Sequence, residues 1–181
     1  MLFEEKSITL KNQKNAILRS PRIEDAEALL NNIIVSSGET EFLTNYPEEY
    51  TMGVDGEAAW IKSHLESPDA LVICCELEGK IIASCDVRFN STIKTRHRAA
   101  LGITVRRDYW GLGIGSAMFE AMITVAKARG VEIMELEFLE GNNRAKHLYE
   151  KFGFHVVSYR PGAFRLKDGR VLGEFYMQKY L

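Results

Sequence analysis

The chain has 181 residues, 46% of them hydrophobic, and a formal net charge of −2. That length suits one well-cored domain, no apolar run approaches the roughly 18 residues of a membrane span, and the balanced charge argues against a general nucleic-acid binder. Glu4 and Glu5 stand where a secretory signal needs basic and apolar residues, so a cytoplasmic location is the expectation.

In chain order, Ser7–Leu10 and Ala16–Arg19 flank the polar stretch 11–15 and read as a hairpin. Ser20-Pro21 opens a helix with Ile23, Ala26, Leu29, Leu30 and Ile33 on one face, ending before Gly38. Residues 39–56 carry Phe42, Tyr46, Pro47 and Tyr50 without periodicity and read as a loop that packs or lines a ligand. A second helix is expected over 57–65. Strands follow over 70–77 and 80–89, joined by the tight turn Glu78-Gly79, and over 99–105. A helix from Ile114 stops at the basic turn Lys127, Arg129, Gly130. Beyond it lie a strand over 131–138, a helix over 142–152, a strand from Gly153 to Tyr159, a turn at 167–170 and a closing strand over 171–180. This order predicts an α/β domain with a largely antiparallel sheet, unlike the repeating βαβ series of a dinucleotide fold. Cys74, Cys75 and Cys85 sit in apolar strands and read as packed, reduced thiols rather than a disulfide or metal set.

The densest information lies at 105–116. A strand ends at Val105, Arg106-Arg107-Asp108-Tyr109-Trp110 follows, and Gly111-Leu112-Gly113-Ile114-Gly115-Ser116 leads into a helix. Unpaired backbone N–H groups and the helix dipole make such a junction an anion site, suited to a phosphate or diphosphate. It is not a Walker loop, because Ser116-Ala117 stands where that loop needs lysine followed by serine or threonine, and its glycine spacing differs from the dinucleotide fingerprint. Glycines that merely permit tight packing are the alternative reading of the same residues.

A second constellation is Asn142-Asn143-Arg144-Ala145-Lys146-His147-Leu148-Tyr149-Glu150-Lys151-Phe152-Gly153-Phe154. With the strand and glycine loop before it, it resembles the GNAT superfamily of acyl-CoA-dependent N-acyltransferases, whose members carry Q/R-x-x-G-x-G/A and then N-x-x-A-x-x-L-Y-x-K-x-G-F. The second pattern is met at every position, while the first has Trp110 where glutamine or arginine is usual. The resemblance is clear over about 70–181, and Leu18–Ala26 is typical of the superfamily's entry into its first helix.

The resemblance implies a mixed, mostly antiparallel central sheet of about six to seven strands with about four flanking helices, splayed between the strands at 99–105 and 131–138. One domain would span 1–181, with an N-terminal hairpin extension over about 1–19. It implies acetyl-CoA as cosubstrate, its pantetheine arm pairing with the backbone of Ile103 and Val105 and its diphosphate on the N–H groups of Trp110, Gly111, Leu112, Gly113, Ile114, Gly115 and Ser116. Asn142 would bond the pantetheine amides, Ala145 would also belong to the cofactor site, Lys146 would lie near the nucleotide, and Tyr149 would be the general acid for the departing thiolate. A core aromatic is the alternative for Tyr149 and a solvated helix face that for Lys146.

The implied reaction is direct attack by a primary amine, on a small molecule, amino acid, polyamine or protein, with no metal and no covalent intermediate. Its base is open: Ala100 occupies the position where some relatives place a glutamate, leaving His97, Glu41, Glu39 and Glu137 as candidates. Residues 38–56 and 159–169 are expected to line the acceptor side and to favour a cationic amine with an apolar body. No nucleic-acid or membrane partner is expected, and relatives that pair through C-terminal strands suggest a homodimer through 171–180. A noncatalytic acyl-CoA-binding module or sensor and a nucleotide-binding regulator are the competing readings.

Overall fold

A computed structural model describes residues 1–181. Eight strands form one sheet: β1 (Lys6–Thr9), β2 (Asn15–Arg19), β3 (Ala70–Leu77), β4 (Lys80–Phe89), β5 (Arg98–Val105), β6 (Ile133–Leu139), β7 (His155–Arg165) and β8 (Val171–Tyr180). Their spatial order is β1-β2-β3-β4-β5-β6-β8-β7. Four helices cover it: α1 (Ala26–Glu39), α2 (Gly53–Glu66), α3 (Ile114–Ala128) and α4 (Asn143–Lys151).

The N-terminal hairpin belongs to this sheet rather than extending from it. β2 pairs antiparallel with β3, placing Leu18 opposite Cys75, so the sheet has eight strands where six to seven were expected. Ala16 and Leu18 are fully buried, so the hairpin contributes to the core. β3 is buried along almost its whole length because helices lie on both faces of the sheet, which explains its continuous apolar run. α1 and α2 pack on one face around Ile61, Leu29 and Cys74. α3 fills the other with Met118, Phe119 and Met122, all fully buried. Phe119 also meets Tyr149, Phe152 and Phe154 at ring-centroid distances of 5.4, 5.3 and 5.8 Å, binding α4 and the start of β7 to α3.

Several boundaries differ from the sequence expectation, three of them in ways that bear on the packing. α1 runs through Gly38 to Glu39, and Pro47 packs close to Gly38, 3.4 Å from where a Cβ would stand. α2 starts at Gly53, four residues early, because Gly53-Val54-Asp55-Gly56 carries no apolar period. β7 continues to Arg165 through Pro161, tolerated because β7 is an edge strand whose pairing with β8 shifts between Arg160 and Phe164.

One pairing positions the site. β5 and β6 are the only parallel neighbours, and they pair just at Arg98–Ala100 with Ile133–Glu135. Arg98 donates to Glu135 at 2.9 and 2.5 Å and to the Tyr176 hydroxyl at 3.0 Å, fastening β5, β6 and β8 at that closed end. Beyond Ala100 the two strands separate, giving the expected splay.

Candidate active site

The gap between β5 and β6 opens into a cleft of about 1040 Å³ whose walls are the end of β5, the glycine loop, Glu137–Leu139 of β6 and α4. Asn90 N–H donates to Arg98 O, and Arg106 N–H to Ile82 O, so the even-numbered residues of β5 bond to β4. By the two-residue alternation of a strand, Leu101, Ile103 and Val105 turn their backbone groups into the gap. Ile103 and Val105 both line it, although the Val105 carbonyl already accepts the Trp110 indole N–H at 2.7 Å.

The glycine loop closes one end. Gly111 and Gly113 have φ of +80° and +96°, a left-handed conformation that side chains disfavour, and nothing crowds either position. Gly115 serves close packing instead: a Cβ there would lie 3.0 Å from Leu148 Cδ2 of α4. No side chain caps α3, and its first intrahelical donor is Ala117 N–H, bonded to Gly113 O. The N–H groups of Ile114, Gly115 and Ser116 are therefore left for an anion. Leu112 is the exception among the loop residues: it packs toward the core, and its carbonyl accepts Lys11 N–H at 3.1 Å.

Cations surround this end, though not the expected one. Lys146 lies outside the cleft wall and approaches Glu150 at 3.8 Å on the helix surface. Lys151 lines the cleft instead and donates to Ser116 Oγ at 3.0 Å. Arg144 lines it as well, with its guanidinium 4.7 Å from the Trp110 ring centroid, and Arg107 lies 5.5 Å from the same ring. Trp110 thus replaces a polar side chain with a platform that holds two arginines beside the loop. Its indole spacing to Arg144, 34 residues onward, left no local signal in the sequence.

At the deeper end, Asn142 caps α4 by accepting Ala145 N–H at 3.2 Å, which leaves its Nδ2 group free to donate into the cleft. Tyr149 also lines the cleft and is 7% exposed. Its ring packs against Phe119 and Phe138 at 5.4 and 5.7 Å, and burial pushes its hydroxyl pKa up to about 12. The hydroxyl therefore stays protonated throughout the range in which an enzyme works.

Two expected bases are not brought here. His97 precedes β5 at the closed end, its carbonyl accepting the N–H groups of Glu132 and Ile133, because the splay opens at the opposite end of the strand. Glu41 is drawn to the β7–β8 turn by Arg170, bonded at 3.1 and 2.5 Å, which holds its carboxyl below the usual range. Glu39 accepts Arg107 N–H at 2.7 Å, and Glu137 lines the cleft but is exposed.

Asp86 on β4, which sequence reasoning passed over, is better placed. It stands opposite Gly102 in the β4–β5 register, and a Cβ at Gly102 would come within 2.9 Å of Asp86 Oδ1, so the glycine makes room for the carboxylate. Burial raises its pKa, partly offset by Arg88 at 3.9 Å and by His64. Asp86, Gly102, Ile103 and Thr104 border both the cleft and a second cavity of about 480 Å³ beneath α1 and α2. A strand pair with alternating apolar residues gives no hint that one carboxylate crosses it at a glycine.

The profile of the acetyltransferase (GNAT) family matches residues 37–154. An uncharacterized N-acetyltransferase of Methanocaldococcus jannaschii is 35% identical over 51% of this chain and 42% of its own length. The chain spans between 20% and 53% of the first curated relatives it matches. The L-methionine sulfoximine/L-methionine sulfone acetyltransferase of Pseudomonas aeruginosa is 23% identical over 91% of this chain and 94% of that protein. Among solved structures, a GNAT-family acetyltransferase from Streptococcus pneumoniae superposes with a TM-score of 0.86 at 23% identity, covering 92% of this chain and 99% of that one. The yncA putative acetyltransferase of Salmonella typhimurium, solved with its cofactor acetyl-CoA, gives 0.79 at 21% identity over 92% and 94%. With the family profile covering most of the chain, and the splayed sheet and glycine loop in place, this protein belongs to the GNAT family of acetyltransferases.

Proposed function

We propose that the chain transfers the acetyl group of acetyl-CoA to a primary amine by direct attack in a ternary complex. The observation that carries this reading is the continuity of the cleft, which has uncapped N–H groups and Lys151 at one end and Tyr149 and Asp86 at the other. An acyl thioester on a diphosphate-bearing arm is a ligand with that distribution of charge. The N-terminus of α3, Arg144 and Lys151 hold the diphosphate. Ile103 pairs its backbone with the pantetheine amides, and Asn142 Nδ2 donates to them.

At the reacting end, a C–N bond forms to the acetyl carbon while its C–S bond breaks. Asp86 takes the amine proton, directly or through one water, and the raised pKa fits it to that task. Tyr149 donates its hydroxyl proton toward the departing sulfur. A backbone N–H of β5 stabilises the oxyanion.

The test is release of CoA thiol from acetyl-CoA across a panel of amines, with the acetylated product identified by mass. Amine-dependent thiol release matched by product supports transfer. Tight acetyl-CoA binding with no acetylated amine supports the binding-module reading instead.

A further inference from the structure

The second cavity has a chemical character that transfer to an amine does not by itself require. Its apolar wall includes Leu29 and Ile33 of α1, Trp60 of α2, and Tyr50. Its charged lining consists of Glu49, Glu57 and Asp86, and no lysine, arginine or histidine lines it. A pocket so built repels a carboxylate and attracts ammonium groups.

Glu57 is the decisive residue. It is 7% exposed, faces this cavity, and takes part in no hydrogen bond or ion pair. The other glutamate buried to the same degree, Glu174, is paired with Arg160, and Asp25 is paired with the buried Arg19 at 2.6 Å. A buried carboxylate without a partner costs stability, and its protein environment raises the pKa of Glu57 through burial alone. Nothing in the fold of α2 needs an acid at that position, because Glu57 is neither a cap nor a partner of any side chain. Asp86 lines the same cavity from β4, where the cavity meets the cleft, so one bound molecule could border both carboxylates.

We propose that the acceptor is a diamine or polyamine, whose reacting nitrogen lies at Asp86 and whose distal ammonium is held by Glu57, with the alkyl chain against Trp60 and Tyr50. This assignment rests on the transfer reading for the identity of the reacting nitrogen, but the ammonium subsite is testable without turnover. The charge of the cavity disfavours a carboxylate placed among Glu49, Glu57 and Asp86, while the nearest arginine, Arg88, lines the adjoining cleft rather than the cavity.

The experiment compares putrescine, cadaverine and spermidine with butylamine, pentylamine and lysine in wild type, Glu57→Gln and Glu57→Asp. Turnover is followed by thiol release, and binding by calorimetry in the presence of CoA. Thermal unfolding confirms that each variant folds. Wild type is expected to favour a diamine over the monoamine of equal length by about tenfold or more in kcat/KM, the scale of one desolvated charge pair. Glu57→Gln is expected to reduce that preference to about twofold by raising KM, and Glu57→Asp to restore part of it. Equal use of monoamines and diamines by wild type, preference for lysine, or diamine affinity unchanged in folded Glu57→Gln would each overturn the proposal. If no amine is acetylated yet putrescine binds in a Glu57-dependent way, the subsite stands and the transfer reading fails.

Discussion

Replacing Asp86 by asparagine removes the proposed base while keeping the shape of the side chain. General-base catalysis contributes about 10² to 10⁴ in rate, so kcat/KM for a good acceptor is expected to fall by that factor while the Kd for acetyl-CoA stays within about twofold. The pH profile sharpens the test. Activity needs the ionised carboxylate, and burial has moved its pKa upward despite Arg88 on its own strand and His64 on α2. Glu57 and Glu49 line the same cavity, and the β5 residues opposite carry no titratable group. Wild-type kcat/KM is therefore expected to drop as pH falls through an apparent pKa above that of an ordinary aspartate, and Asp86→Asn should lack that limb. Gly102→Ala gives a graded version. Its new Cβ would start 2.9 Å from Asp86 Oδ1, against an ordinary contact beyond 3.4 Å, so the carboxylate must withdraw by about 0.5 Å. Since about 1 Å of misplacement costs about 10²-fold, roughly a tenfold loss is expected at unchanged acetyl-CoA affinity. Full activity in Asp86→Asn, or an acid limb that survives the substitution, would refute the assignment.

Trp110→Gln removes the surface beneath Arg107 and Arg144 and the indole bond to Val105. At about 0.5 to 1 kcal/mol for each exposed cation–π contact, the Kd for acetyl-CoA should rise about fivefold to thirtyfold by calorimetry, with kcat little changed. Gly113→Ala meets no steric obstacle but forces alanine to φ of +96°; a cost of about 1–2 kcal/mol should lower Tm by roughly 2–8 °C and weaken acetyl-CoA binding. For Glu57, burial raises the folded pKa above the unfolded value, so its ionisation costs stability as pH rises through that window. Glu57→Gln should therefore raise Tm at pH 7 by about 2–4 °C, for about 1 kcal/mol, and by less near pH 4. Equal shifts at both pH values would show that folding leaves the Glu57 pKa where it is in the unfolded chain.

What the sequence revealed of the site is its local part. The glycine loop and the run from Asn142 to Phe154 are continuous in the chain, and each sets its own backbone geometry, so their places at the cleft were legible. The groups that depend on register or docking were not. Asp86 meets Gly102 only through the β4–β5 pairing, and Glu57 faces a cavity only because α2 docks beside α1. His97 looked suitable because it adjoins β5, but proximity along the chain does not tell which end of a parallel pair separates. Glu41 lies in a loop near the cleft, and its partner Arg170 is distant in sequence. The hairpin strands were legible as strands, while their membership of the sheet required the pairing of Leu18 with Cys75.

The central claim is that Tyr149 and Asp86 work on an acetyl thioester held by the α3 loop. Its most direct test is simultaneous measurement of CoA thiol and acetylated amine in wild type and Tyr149→Phe, with acetyl-CoA affinity determined on the same samples. The account predicts equal amounts of the two products in wild type, and in Tyr149→Phe a fall of about 10²-fold or more in kcat with the acetyl-CoA Kd unchanged. Full turnover in Tyr149→Phe, or a wild-type protein that binds acetyl-CoA and acetylates no amine, would contradict it.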